Sequence, residues 1–497
     1  MKHTLKTADV VVVGGGGSGL ATAVAAAEAG ARVIVLERRS KVGGTTALSI
    51  GSLTAAGTSF QRRRKITDDV SHLVEDMWKF DEELLTGDAP ALRELYARES
   101  AATLDWLMEH GVTFAGPFPE APHRVPRMHN VIPNSRTYIA RLHEAARRAS
   151  VEIITSAEVD ELVQDADSVV LGARATVDGE RIEARGTRGV VLACGDFSGS
   201  TEMRRQHLAP AAAAAIPINP DSQGFGHRLA ASAGAELLRM DVLFGPQLRF
   251  PASPKPGLLD RLPTWRWLCK LEALVVNSVP PSFLRPIAKS LLVSHMSPTD
   301  EMFRRGAILV NGRGERFGRE KAPAAELSTQ PGSEGYLILD QRLATEFDTP
   351  PQHISTAPGI AFAYFRDYRR GRPDLITRAK TPAELASRLG FEVTAFESAV
   401  ASSGLTGELY AMGPVHSMLT VTEGSVAIDT DLRVLRADGS PVPGLYAVGG
   451  LGQGGMLLKG HGHHIGWAMT SGRLAGRALA HAPATASLAA SADGGEK

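Results

Sequence analysis

The stretch from Asp9 to Glu37, DVVVVGGGGSGLATAVAAAEAGARVIVLE, constrains this chain more than any other. Val10 to Val13 form a β-branched run that predicts a strand buried on both faces, and Gly14 to Gly17 follow as a tight turn. Ser18 to Ala29 is rich in helix formers and closes at Gly30, after which Arg32 to Leu36 predicts a second strand. Gly14, Gly16 and Gly19 match G-x-G-x-x-G. In that pattern the first glycine makes the turn, the second lets backbone approach a pyrophosphate, and the third packs helix on strand. The N-terminus of the helix adds free N–H groups and a positive dipole end. Glu37 closes the second strand, where a carboxylate can accept both hydroxyls of an adenosine ribose. Strand, turn, helix, strand and acid within about 30 residues predict a dinucleotide site, against the plainer alternative of a glycine-rich turn in an ordinary α/β unit.

The chain has 497 residues, enough for two domains and a large core. Its 54 basic residues balance 54 acidic ones, and the one compact basic block, Arg62 to Lys65, reads as a solvated loop rather than a nucleic-acid surface. The two cysteines, Cys194 and Cys269, form no CxxC, haem or iron–sulfur motif and suggest a reducing compartment. Met1 runs almost directly into the first strand, which leaves no room for a signal peptide. No stretch of about 18 apolar residues predicts a spanning helix, so the expected location is the cytoplasm.

After Glu37 come Arg38, Gly43-Gly44-Thr45-Thr46 and Ser49-Ile50-Gly51-Ser52, small and hydroxylic residues that suit a loop lying against a flat ring system. Here the sequence resembles the flavoproteins grouped with fumarate reductase, the succinate dehydrogenase flavoprotein subunit and 3-ketosteroid dehydrogenases. They share the glycine fingerprint, the acid and a Gly-Gly-[Asn/Thr]-[Ser/Thr] segment. The resemblance continues at Ala193-Cys194-Gly195-Asp196, where the family has Ala-Thr-Gly-Gly, so Cys194 is expected as a packing residue and not a redox thiol. It also covers Asp221 to Gly226, with Gln223 replacing the family's acid, then Gly306 to Phe317 and Pro443 to Gly450, and it ends in a closing helix from Ile465 to Ala480.

What the resemblance implies is an α/β protein: a Rossmann-like FAD-binding domain with an inserted α+β cap. The FAD-binding domain takes residues 1–239 and 351–481, the cap takes 240–350, and 482–497 form a disordered tail. Within the cap, Trp265, Trp267, Phe283 and Leu291 to Val293 interleave with Arg261, Arg266, Lys270, Arg285 and Lys289. This segment is expected to pack as cap or oligomer surface, with contact to a membrane as the rival. Elsewhere, helices are predicted over Val70–Phe80, Ala91–His110 and Tyr138–Ala149. Phe114 to Pro133, with five prolines and His123, Arg124, Arg127 and His129, reads as a long solvated loop.

The resemblance sets FAD with its pyrophosphate on Gly14, Gly16, Ser18 and Gly19, and its adenosine ribose on Glu37 beside Arg38. Gly44, Thr45, Thr46, Gly51 and Ser52 would lie under the flavin ring, with Ala193, Gly449 and Gly450 alongside. Backbone N–H groups of His464 and Ile465 would point at the pyrimidine end, where charge builds on reduction. No histidine lies between His3 and His72, so FAD is expected to be non-covalent.

The substrate end departs from the fumarate pattern. Ala324 stands four residues after Glu320, where the family's proton-donating Arg is expected. Thr420 and Val421 stand near the position of a dicarboxylate-binding His, and Lys459 replaces a substrate-binding Arg. With fewer cationic anchors, a bulkier and more apolar substrate is expected, a 3-ketosteroid-like or cyclic ketone whose CH–CH bond beside the carbonyl is oxidised or formed by the reverse reduction. Lys459-Gly460-His461-Gly462-His463-His464 supplies His461 and His463 as acid or base and Lys459 as an oxyanion holder, with Glu320 completing the candidate catalytic set. Metal binding is the rival use for three histidines in four residues, and the flavin site is preferred. Two alternatives stay open: a reductase or dehydrogenase of an unsaturated carboxylic acid, and a non-catalytic flavin-binding electron-transfer subunit. The electron acceptor is open.

Overall fold

The computed structural model describes residues 4–80, 88–253, 262–278, 298–357 and 361–484. The tail beyond 484 and the cap residues Arg261, Phe283, Arg285, Lys289 and Leu291 to Val293 lie outside the described residues.

Strand β1 (Thr4–Val13), helix α1 (Gly17–Glu28) and strand β2 (Val33–Leu36) form the predicted unit, with Val10 paired to Val33 and Val13 to Leu36 in parallel. Strand β3 (Glu152–Ile154) extends the sheet beyond β2, while β4 (Glu180–Leu192) and then β5 (Pro441–Ala447) extend it on the other side of β1, all parallel. The Val10 to Val12 side chains are wholly buried, as expected for a strand covered on both faces. An antiparallel hairpin, Ala157–Gln164 with Val170–Val177, joins the first half of β4, and Asp178 and Gly179 turn the chain between them with φ of 49° and 85°. The last helix, α2 (His463–His481), lies on α1 with backbones touching. A Cβ on Gly472 would collide with Ser18 O, and one on Gly476 with Thr22 O.

A second core forms on an antiparallel sheet in which Ile308–Asn311 pairs with Glu334–Asp340, which pairs with Leu409–Leu419, flanked by Ile376–Ala379. It draws on residues from Leu248 to Val415, among them Ile354, Phe365, Leu385 and Phe396. The inserted unit was expected to end at 350. Strand Leu409–Leu419 instead ties residues well past that point into the second sheet, and the chain rejoins the first sheet only at Arg433–Leu435 and β5.

A second correction concerns Phe114 to Pro133, which is no solvated loop. Phe114–Phe118 and Met128–Val131 pair in a three-stranded sheet with Ser52–Thr54, and Arg127 and His129 are fully buried. The charge is carried inside by pairing. Arg127 bridges Asp68 and Asp76 at 2.7 and 2.6 Å, and both carboxylates are wholly enclosed. This small sheet brings Ser52 to the cleft described next.

Candidate active site

One cleft opens at the carboxyl ends of β1, β2 and β4, the usual ligand position in an open parallel sheet. Gly14 turns the chain there with φ of +108°, and a Cβ on it would stand 2.5 Å from Ala193 O, so only glycine fits. A Cβ on Gly19 would strike Gly14 O, which is the close helix–strand packing expected of the third glycine. Gly16 differs. A Cβ there meets nothing nearer than Gly44 Cα at 3.9 Å and projects into open cleft, the cradle a pyrophosphate needs. Glu37 is nearly buried and braces this turn, with Oε2 accepting from Gly15 N at 2.6 Å and Oε1 from Arg39 N at 2.8 Å.

Fourteen of the sixteen expected cofactor residues line the cleft: Gly14, Gly16, Ser18, Glu37, Arg38, Gly44, Thr45, Thr46, Gly51, Ser52, Ala193, Gly450, His464 and Ile465. Gly19 and Gly449 support it from behind, and a Cβ on Gly449 would press on Ser18 Oγ. Arg38 donates to Asp221 O at 2.8 Å and lies over the Phe225 ring, while Asn219 Nδ2 donates to Thr45 Oγ1 at 2.7 Å. The 219–225 segment therefore clasps the loop that follows Glu37. Burial pushes the Cys194 thiol up to about 12, so it packs in the cleft wall as a neutral group.

At the far end of the cleft, α2 begins at Gly462, whose φ is +88°, with no capping side chain and no acid in its first turn. Its leading N–H groups have no partner within the helix and present positive potential. His464 Nε2 stands 3.1 Å from Oε1 of the fully buried Glu423, and Gln453 Nε2 donates to Glu423 Oε2 at 2.6 Å. Burial opposes protonation of His464, but the Glu423 carboxylate, with Asp196 adding to it, outweighs burial and raises the imidazole above its ordinary value. For Glu423 burial likewise opposes the charge, and the His464 charge and the hydrogen bonds outweigh it and hold the carboxyl low. Each partner favours the charged form of the other, and the His464 side chain also lines the cleft.

The four candidate catalytic residues separate. His461 lines the cleft. Its Nδ1 faces Glu120 Oε1, and its backbone N–H donates to the same carboxylate at 3.0 Å. His463 does not reach the cleft and is completely buried. Arg127, which can only donate, meets His123 Nδ1 at 2.9 Å. His123 must then donate through Nε2 to His463 Nε2 at 3.1 Å, and His463 through Nδ1 to Lys459 O at 2.6 Å. Burial, with the neighbouring charges, pushes both imidazoles down to about 3. His463 is thus a neutral brace for the start of α2, which corrects its expected acid–base role. Lys459 sits outside the cleft and contributes its carbonyl to that chain. Glu320 is corrected outright. It lies outside the cleft, clasped by Arg316 at 2.7 and 2.9 Å and accepting from Leu309 N, because it belongs to the second sheet's turn. Among the described residues, no group of three or more His, Cys, Asp or Glu is placed to hold a metal ion.

The cleft also holds Arg249, Phe244, Asn219, Gln453 and Asp196, and its second layer holds Glu120 and Glu423, none of them among the residues expected. Arg249 ends a short strand, Gln247–Arg249, whose polar–apolar alternation is the local signal for it. Glu120 reaches His461 across 341 positions of sequence and leaves no local signal.

Four buried histidines, His123, His129, His227 and His463, are held down to between about 3 and about 4 by burial. In the unfolded chain each titrates near 6.5, so between that value and the folded one the unfolded state binds more protons. The contribution of these four to stability is full above about pH 6.5 and falls as pH drops toward 4. A Tm series across that range should decline steadily, and His463→Gln should flatten the slope.

A family model described as "FAD binding domain" matches residues 9–265 and 276–458. The urocanate reductase of Eggerthella lenta is 27% identical over 89% of this chain and 69% of its own length. A fumarate reductase (cytochrome) of Shewanella frigidimarina is 28% identical over 95% of this chain and 77% of its own. The open conformation of a flavocytochrome c3 fumarate reductase superposes with a TM-score of 0.72 at 23% identity, covering 96% of this chain and 78% of that one. No described helix is long and apolar enough to cross a membrane. With its glycine cradle, bracing acid and small, hydroxyl-bearing loop at one cleft, the chain belongs to the FAD binding domain family, as an FAD-dependent oxidoreductase acting on CH–CH bonds.

Proposed function

We propose that the substrate is an apolar, conjugated carbonyl compound that also carries a carboxylate, and that the chain reduces its carbon–carbon double bond or forms it in reverse. One observation carries this reading: the Arg249 guanidinium lines the same cleft as His464 and the N-terminus of α2. A cation there suits an anion. The expectation of fewer cationic anchors is therefore revised, because Arg249 supplies one that comparison with the fumarate pattern did not reveal. Leu48 and Ile50, each 51% exposed, form apolar cleft walls with Phe244 and Val421 and would hold the body of the substrate. Relatives named for urocanate and fumarate, both unsaturated acids, support the same choice.

When bound, FAD supplies the hydride acceptor or donor. The second proton belongs to His461. With Nδ1–H given to Glu120, Nε2 is the atom left to give a proton to, or take one from, the carbon beside the carbonyl. The leading N–H groups of α2 and His464 stabilise negative charge at that end of the cleft. FAD is held without a covalent bond, since residues 4–71, which include the ring-facing loop, contain no histidine. Acid precipitation should leave the flavin in the supernatant.

Arg249→Gln should raise KM for a carboxylate substrate roughly 10- to 100-fold, the cost of losing one charged hydrogen bond, with a smaller change in kcat. The methyl ester of the same substrate should show little difference between the two proteins. Equal KM for acid and ester in the native protein would contradict the reading.

A further inference from the structure

Asp196 stands in the cleft wall and takes no part in the proposed proton transfer. In the family pattern Ala-Thr-Gly-Gly its position is a glycine, so the acid is this chain's own addition to the cleft. It lies just past Ala193, whose carbonyl packs against Gly14 at the glycine turn. The residue is 4% exposed, and Oδ2 accepts from Thr422 N at 2.8 Å. Burial outweighs this and the other hydrogen bonds, Ser222 among their donors, and raises the carboxyl above its ordinary value. That favours the form able to donate as well as accept. A buried acid so perturbed, in the wall of a cleft, points to a ligand that uses it.

Its neighbours fix where along the cleft it lies. On the side of the glycine turn, Ser222 Oγ stands 3.3 Å from Thr45 Oγ1 in the loop after Glu37. Asn219 Nδ2 donates to both hydroxyls, at 2.7 Å to Thr45 and 3.1 Å to Ser222. On the other side Thr422 leads directly to Glu423, which faces His464 at the start of α2. Gly450 keeps the space beside the acid open, since a Cβ there would stand at ordinary contact distances, 3.7 Å from Gly195 C and 3.8 Å from Asp196 N. Thr45, Asn219, Ser222, Thr422 and Gly450 all line the cleft.

An FAD with its pyrophosphate on the glycine turn and its ring against the start of α2 runs its ribityl chain between them, past Asp196. We propose that Asp196 is a cofactor-binding residue that hydrogen-bonds the ribityl hydroxyls, with the Ser222 hydroxyl beside it. Hydroxyls both donate and accept, which matches a protonatable carboxyl and a serine. The proposed substrate, a carbonyl compound with a carboxylate, brings acceptors and a negative charge and suits an acid less well. The proposal rests on FAD as the cofactor and is independent of the substrate.

Titration of the apoprotein tests it, with no substrate present and flavin fluorescence as the signal. The two ligands are FAD and an FAD analogue whose ribityl chain is replaced by a pentyl chain without hydroxyls. The native protein should prefer FAD, and Asp196→Ala should shrink that preference about tenfold, the effect of losing one hydrogen bond to an ionisable group. Affinity for the analogue should change little, whereas a structural fault would weaken both ligands alike. Asp196→Asn keeps an acceptor for Thr422 N and a donor for the chain, and should retain most of the preference. In infrared difference spectra of the native protein, the carboxyl band that Asp196→Asn removes should shift on adding FAD and not on adding the analogue. Equal affinity of the native protein for both ligands, or a carboxyl band that FAD leaves unmoved, overturns the proposal whether or not Asp196→Ala folds. A folded Asp196→Ala with the native preference also overturns it.

Discussion

Gly16→Val is expected to give a folded, colourless protein. A Cβ there stands 3.9 Å from its nearest neighbour, so Tm measured without flavin should stay close to that of the native apoprotein. The branched group fills the space where backbone must approach the pyrophosphate, and FAD affinity should fall beyond detection in a titration. Gly14→Val makes the contrast. Its Cβ would be driven against Ala193 O at a φ of +108°, so this variant should fail in folding as well as in binding. If Gly16→Val kept its flavin, the cradle would be misassigned.

His461→Ala should retain FAD and lose turnover. General acid–base catalysis by a positioned side chain contributes roughly 10²- to 10⁴-fold, and kcat should fall by that order with KM little changed. Glu120→Gln keeps the hydrogen-bonding shape but removes the carboxylate that orients the Nδ1–H tautomer, so a smaller loss of kcat is expected. His463→Gln leaves the cleft-lining atoms in place and should change Tm more than the chemical step. Unaltered turnover in His461→Ala would remove that residue from the mechanism.

The cofactor half of the site was legible because its determinants are local. Gly14, Gly16, Gly19 and Glu37 lie in one strand–helix–strand unit, where Gly14 turns the chain at positive φ, Gly19 packs on Gly14 O and Gly16 leaves the cleft open. The substrate half was not, because its pairs close over long separations. Glu120 meets His461, Glu423 meets His464, and Arg249 arrives on a three-residue strand of the second sheet. Three histidines in one tetrapeptide looked equivalent in sequence. The helix start sorts them, sending His461 and His464 to the cleft and His463 into the interior against His123. The proline-rich segment misled for a related reason: its charges have partners, Asp68 and Asp76, that composition alone does not pair with Arg127.

In the proposed reaction the cleft passes hydride between FAD and a carboxylate-bearing conjugated carbonyl compound. The most direct measurement is anaerobic. The FAD-loaded protein is reduced chemically, mixed with a panel of cyclic and linear enoic acids and their methyl esters, and followed by flavin absorbance in a stopped-flow instrument. Rapid reoxidation by at least one acid, much slower with its ester and lost in His461→Ala, is the predicted result. Reoxidation by neutral enones or esters as fast as by acids, or by none of the panel, would contradict it, the last outcome pointing to a flavin-binding electron-transfer subunit.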